Sequence, residues 1–190
     1  MAKARVGILI SGRGSNMASL IEASKQSDSP YEVVLVASNV TDAAGLDFAK
    51  AQSIATWAQS HMGMKRAEFD ELVDAQLRAA GVEYVALAGY MRLLSPGFVQ
   101  RWAGRMINIH PSLLPAYKGL DTHQRVLDAG EAKHGCSVHI VTEALDDGEI
   151  IAQAEVPVLP GDDAHKLAAR VLVEEHKLYP AALAKLVREK

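Results

Sequence analysis

Short runs of β-branched and aliphatic residues alternate along the chain with stretches whose apolar positions recur every three or four residues. Arg5 to Ile10, Glu32 to Ser38, Tyr84 to Ala88 and Met106 to His110 read as strands. Between them, Met17, Leu20, Ile21 and Ser24 mark one helix face, and Phe69, Leu72, Val73, Leu77 and Ala80 mark another that Gly81 closes. This alternation predicts an α/β fold, Rossmann-like, with a mostly parallel sheet flanked by helices. After residue 135 the rhythm changes. Cys136 to Val141 and Ile150 to Val158 read as strands, and the link Thr142 to Glu149 is too short for a crossover helix. Two antiparallel strands are therefore expected at one side of the sheet, toward the C-terminus. A helix from about Asp163 to Tyr179, stopped by Pro180, and a short helical segment from Ala181 to Lys190 are expected to close the chain.

With 190 residues, 49% of them hydrophobic, one substantial core is expected, and a single domain over residues 1–190. Lys and Arg total 20 against 23 Asp and Glu, a net charge of −3. That balance offers no basic field for nucleic acid or an anionic membrane and suits a small ligand better. The one cysteine, Cys136, has no partner for an internal disulfide. The first residues lack a signal-peptide pattern, and no apolar run approaches a membrane span, so a cytoplasmic location is expected.

Three places carry candidate chemistry. The first is Ser11-Gly12-Arg13-Gly14-Ser15-Asn16, between a strand and a helix. Backbone N–H groups and the positive helix end converge there, which fits an anion, most simply a phosphate monoester; Ser15 or Asn16 is expected to cap the helix. A tight turn with a good cap explains the same residues. No third glycine completes a dinucleotide fingerprint, and no Gly-Lys-Ser or Gly-Lys-Thr marks a P-loop. The second is Asn108 with His110, which the strand period of two puts on one face while Ile107 and Ile109 take the other. Pro111 ends the strand there. An amide donor beside an imidazole suits a developing oxyanion, as in acyl transfer; a hydrogen-bonded histidine with a turn-capping asparagine is the bland alternative. The third is the acidic loop Thr142 to Gly148, which includes Asp146. Most acidic loop residues are merely solvated. The seven histidines lack metal-ligand spacing, so no metal is expected.

Strand-then-SGRGSN, Leu87-Ala88-Gly89-Tyr90-Met91-Arg92-Leu93-Leu94-Ser95-Pro96, Ile107-Asn108-Ile109-His110-Pro111-Ser112-Leu113-Leu114-Pro115 and His134-Gly135-Cys136-Ser137-Val138-His139 occur in that order. Together they resemble the folate-dependent formyl transferases, and the glycine-rich turn narrows the resemblance to phosphoribosylglycinamide formyltransferases. The resemblance implies 10-formyltetrahydrofolate as a co-substrate, with no metal, and glycinamide ribonucleotide as acceptor, in a monomer or weak homodimer. It assigns catalysis to Asn108, His110 and Asp146. The ribonucleotide would meet Gly12, Arg13, Gly14, Ser15, Asn16 and Glu175. The folate would meet Arg66, Met91, Arg92, Leu93, Leu94, Asn108 and Thr142. Without the resemblance, Glu175 reads as a solvated helix residue, Arg92 as a surface charge, and Leu93 and Leu94 as core. His139 shares a strand face with Ser137 and reads either as pointing to the site or as a satisfied core histidine. The chain departs from some relatives at Asp121, where they carry histidine in Gly-x-His-Thr-His, and at Asp147-Gly148-Glu149. The rivals are a 10-formyltetrahydrofolate hydrolase, disfavoured by a first strand that starts within a few residues of Met1, and a non-catalytic phosphate-ligand binding module.

Overall fold

In the computed structural model, which describes residues 2–189, the apolar runs form one seven-stranded sheet. Five strands are parallel: β1 (Ala4–Ile10), β2 (Tyr31–Ser38), β3 (Ala55–Ala58), β4 (Tyr84–Leu87) and β5 (Met106–His110). β6 (Lys133–Ile140) and β7 (Ile150–Pro157) add antiparallel beside β5, giving the order β3-β2-β1-β4-β5-β6-β7. The helices are α1 (Ser15–Ser24), α2 (Ala44–Ala51), α3 (Arg66–Ala79), α4 (Pro96–Arg101), α5 (Thr122–Asp128) and α6 (Ala164–Arg188). Among the described residues, no helix is long and apolar enough to cross a membrane.

Val6 through Ile10 is buried without a break, as a parallel strand covered on both faces must be. Val6, Ile8 and Ile10 pack with Met17, Leu20 and Ile21 of α1 and with Tyr179, Leu183 and Leu186 of α6. Leu9 instead packs with Phe69, Val73 and Leu77 of α3 and with Phe98 and Trp102. Gly7 faces α3, where an added Cβ would stand 2.5 Å from Leu77 Cδ2, so glycine permits the close approach.

One strand was not read from the sequence, and one expectation is corrected. β3 has only four residues, half-buried or exposed at the sheet edge, and so carries too little periodicity to be read. Pro180 does not stop the last helix: α6 runs through it for 25 residues. An interior proline costs a helix about 3 kcal/mol. Beyond Pro180, however, Leu183 and Leu186 are buried, and each such side chain contributes about 1.5–3 kcal/mol, enough to carry the helix on.

The chain leaves β1 toward β2 and returns on the other flank of β1 as β4. The loops after β1 and β4 thus diverge, opening a crevice at the C-terminal strand ends.

Candidate active site

Ile107 and Ile109 lie in the core toward α6, while Met106 lies in the core toward α3 and α4, so the expected two-residue alternation holds. Asn108 and His110 thereby end β5 beside the crevice. The antiparallel register sets His139 opposite Asn108 and Ser137 opposite His110. His139 Nδ1 donates to the Ile140 carbonyl at 3.0 Å, which leaves Nε2 to accept from Asn108 Nδ2 at 3.3 Å. Burial holds His139 below the ordinary imidazole value, against the opposing pull of the Ile140 carbonyl and Asp146. His139 is buried with both ring nitrogens hydrogen-bonded, and its Nε2 holds the Asn108 amide.

The loop after β6 folds back so that Asp146 Oδ2 reaches His110 Nδ1 at 3.4 Å and Oδ1 stands 3.7 Å from His139 Nε2. His110 Nε2 meets the Tyr117 carbonyl at 2.9 Å. Both His110 nitrogens thus face oxygen atoms, which fixes the plane of the ring. Asp146 Oδ2 also accepts the Gly119 N–H at 2.9 Å. Asp146 sits at φ 50°, a left-handed conformation that aspartate tolerates better than most residues. Gly148 permits the fold-back, because a Cβ there would lie 1.7 Å from the Ile140 carbonyl oxygen.

The glycine-rich turn differs from expectation at its cap. Gly14, at φ 70°, is the N-cap of α1, and no side chain caps the helix. Neither Ser15 nor Asn16 is spent on the helix end, so its first N–H groups remain available to an anion. Ser15 and Arg13 are exposed. Gly12 offers its carbonyl to the Gly45 N–H at 3.0 Å, and Gly45 packs so closely that a Cβ would stand 2.6 Å from Ile10 Cδ1. Asn16 Nδ2 instead donates to Glu175 Oε2 at 3.0 Å. Glu175 is buried rather than solvated, and burial raises its carboxyl above the ordinary value, opposed by the Asn16 hydrogen bond and by His110. Glu175, Pro111, His123, His165, Ala168, Ala169 and Leu172 line a cavity of about 390 Å³. Behind this lining, His123, half-buried, meets the buried His134, Nδ1 to Nε2 at 3.0 Å. Burial, then His123 and His110, push His134 down to about 4.

The loop after β4 crosses the crevice: the Met91 N–H donates to Ser11 Oγ at 2.8 Å, and Ser11 donates to Asn39 Oδ1 at 2.6 Å. Met91 and Leu93 are 70% and 57% exposed, so Leu93 is not core, whereas Leu94 is half-buried against the α3 side. Arg92 is not a free surface charge; its guanidinium lies 5.0 Å over the Phe69 ring. Two candidates stay apart from this group. Arg66 opens α3, exposed, and makes no hydrogen bond or ion pair with the other candidates; Thr142 is exposed, with its hydroxyl donated to the Ala144 carbonyl at 3.2 Å. Asp121 caps α5 in a left-handed conformation without a side-chain cap bond. Ser11 was read only as part of the anion turn, and no site contact was assigned from the sequence to Asn39, Gly45, Tyr117 or Gly119. Only Gly45 carried a signal, as a glycine near the start of a helix.

Residues 4–183 match the family described as formyl transferase. The chain is 48% identical over 182 residues to the trifunctional purine biosynthetic protein adenosine-3 of Bos taurus, covering 95% of this chain but only 18% of that protein. It is 44% identical over 178 residues to phosphoribosylglycinamide formyltransferase of Escherichia coli, covering 93% of this chain and 84% of the relative. The crystal structure of phosphoribosylglycinamide formyltransferase from Brucella melitensis superposes with a TM-score of 0.94 at 49% identity, over 98% of this chain and 96% of that one. The chain belongs to the formyl transferase family, with the sequence and fold of its phosphoribosylglycinamide branch.

Proposed function

We propose that the protein transfers the formyl group of 10-formyltetrahydrofolate to the primary amine of glycinamide ribonucleotide, a step of purine synthesis. The observation that carries this reading is the meeting of Asn108, His110 and Asp146 at a crevice that the uncapped α1 turn joins through the Asn16–Glu175 hydrogen bond. The turn at Gly12, Arg13, Gly14, Ser15 and Asn16 receives the ribonucleotide phosphate, where backbone N–H groups and the helix dipole favour a dianion. Glu175 lies between that turn and His110 and meets the acceptor near its amine. The loop Met91 to Leu94 takes the pterin of the donor, Arg66 stands near its glutamate tail, and Thr142 also meets the folate.

The amine attacks the formyl carbon and forms a C–N bond, turning the carbonyl oxygen into an oxyanion. An Asn108 N–H and the His110 ring stabilise that charge, with the Asp146 carboxylate beside the ring at Nδ1. Collapse breaks the bond to the folate nitrogen. The proton lost by the amine ends on that nitrogen, through water ordered by Asp146. Holding both reactants at adjoining strand ends removes much of the entropic barrier.

Incubation with donor carrying a carbon-13 formyl group tests the reading. Label in N-formylglycinamide ribonucleotide, read by mass spectrometry, is expected; unlabelled acceptor after complete donor loss contradicts transfer.

A further inference from the structure

The backbone from Met91 to Ser95 is pinned at both ends by side chains from other elements. At one end the Met91 N–H donates to Ser11 Oγ at 2.8 Å. At the other the Ser95 N–H donates to Asp70 Oδ2 at 2.6 Å. Between them Arg92 lies over Phe69, the residue next to Asp70 on α3, and Leu94 packs into the same core. The two side chains left outward are Met91 and Leu93.

Asp70 is an unusual residue for this position. It is 1% exposed, and its second oxygen, Oδ1, has no hydrogen-bond partner in the protein. A buried carboxylate with half of its hydrogen-bonding capacity unused destabilises a fold relative to an apolar side chain of similar size. Fold stability alone therefore does not account for it. What Asp70 does achieve is to fix the backbone where the loop enters α4, whose N-cap is Ser95. Tyr90, at the loop's other end, also buries a hydroxyl without a protein partner, close enough to Asp70 for the carboxylate to add to the effect of burial in raising it. The underside of this loop thus buries two polar groups, of which Asp70 holds the backbone through Ser95.

We propose that Asp70, through Ser95, and Ser11, through Met91, are positioning residues that hold the loop in the shape that receives the folate donor. The inference rests on the reading above that this loop takes the pterin. A loop held at one end only would present its backbone groups to the donor over a wider range of positions, and donor binding would weaken; Asp70, on α3, stands outside the acceptor turn, which Ser11 adjoins.

The test compares wild type, Asp70→Ala, Asp70→Asn and Ser11→Ala by steady-state kinetics and by calorimetric titration with tetrahydrofolate. Loss of a charge-assisted hydrogen bond in Asp70→Ala is expected to raise the donor KM and weaken tetrahydrofolate binding by about tenfold. The acceptor KM stays near the wild-type value, because Asp70 bonds Ser95 and not the Asn16–Glu175 pair. Asp70→Asn keeps an oxygen that accepts the Ser95 N–H and restores most of the donor affinity. If Asp70→Ala does not fold, Ser11→Ala carries the test from the other end, with a raised donor KM. An unchanged donor KM in the folded variants overturns the proposal. So does a parallel rise of both Michaelis constants in Asp70→Ala, or an Asp70→Asn protein as impaired as Asp70→Ala. Wild-type protein that neither binds tetrahydrofolate nor transfers a formyl group overturns the functional reading itself; wild-type transfer with unmoved donor constants in the variants overturns only the positioning role.

Discussion

Asp146 Oδ2 stands 3.4 Å from His110 Nδ1, with both side chains buried, while the opposite His110 nitrogen meets the Tyr117 carbonyl. The ring is thus held between two acceptors with its plane fixed. Replacement of His110 by alanine removes the ring proposed to face the oxyanion, an interaction that develops only as the carbonyl becomes tetrahedral. Turnover is expected to fall by about 10²–10⁴-fold, with the acceptor Michaelis constant changed much less. Steady-state kinetics of His110→Ala check this, and near-normal turnover excludes the role.

Gly148 lets the Asp146 loop close on Ile140. In Gly148→Ala the new methyl would lie 1.7 Å from a backbone oxygen and 3.3 Å from Thr142 Cγ2, so the loop must shift. A displacement on the order of 1 Å at a reacting group costs roughly 10²-fold in rate. The expected result is a fall in kcat of that order with acceptor binding retained. Full turnover in a folded Gly148→Ala protein would show that the Asp146 position is not critical.

Gly14 occupies the left-handed region at φ 70°, and a Cβ there would meet Met17 Cε at 2.9 Å. Alanine at this position is expected to destabilise the fold by about 1–2 kcal/mol. It also distorts the turn proposed to hold the phosphate, so the acceptor KM should rise more than the donor KM. Urea denaturation and the two Michaelis constants measure the effects separately.

His134 is held at about 4 against an ordinary value of 6.5. The unfolded chain therefore takes up this proton before the folded one, and stability falls as pH drops from about 6.5 to about 4. The loss attributable to His134 is on the order of 2–3 kcal/mol. His123 and His139 are lowered as well and add in the same direction. Glu175, raised by burial, opposes them: its contribution is present below the ordinary carboxyl value and is lost as pH rises through its folded value. His134→Gln is expected to flatten the acid limb of stability between pH 6.5 and 4 by about one proton. Denaturation at several pH values decides the point, and an unchanged slope contradicts it.

Four parallel strands and the two antiparallel ones were legible because their apolar runs are buried and their links differ in length. The placing of Asn108 and His110 on one face followed from the strand period alone. The approach of Asp146 did not: it depends on a loop folding back over Ile140, and only the family resemblance pointed to it. His139 became visible as a partner of Asn108 only once the antiparallel register set the two opposite each other. Asp70 and Asp74 sit on a helix face that polarity assigns to solvent, yet they are buried because the Ser95 N–H and the Trp102 indole N–H need acceptors there. Glu175 was hidden for the same reason, since a carboxylate on a helix reads as solvated until its burial against Asn16 is seen.

Loss of 10-formyltetrahydrofolate, followed with and without glycinamide ribonucleotide, separates the remaining possibilities. Consumption that requires the ribonucleotide, one formyl group per acceptor, is the expected result. Equal consumption in its absence would mean that water is the nucleophile, and no consumption under either condition would mean that these residues bind a phosphate ligand without chemistry.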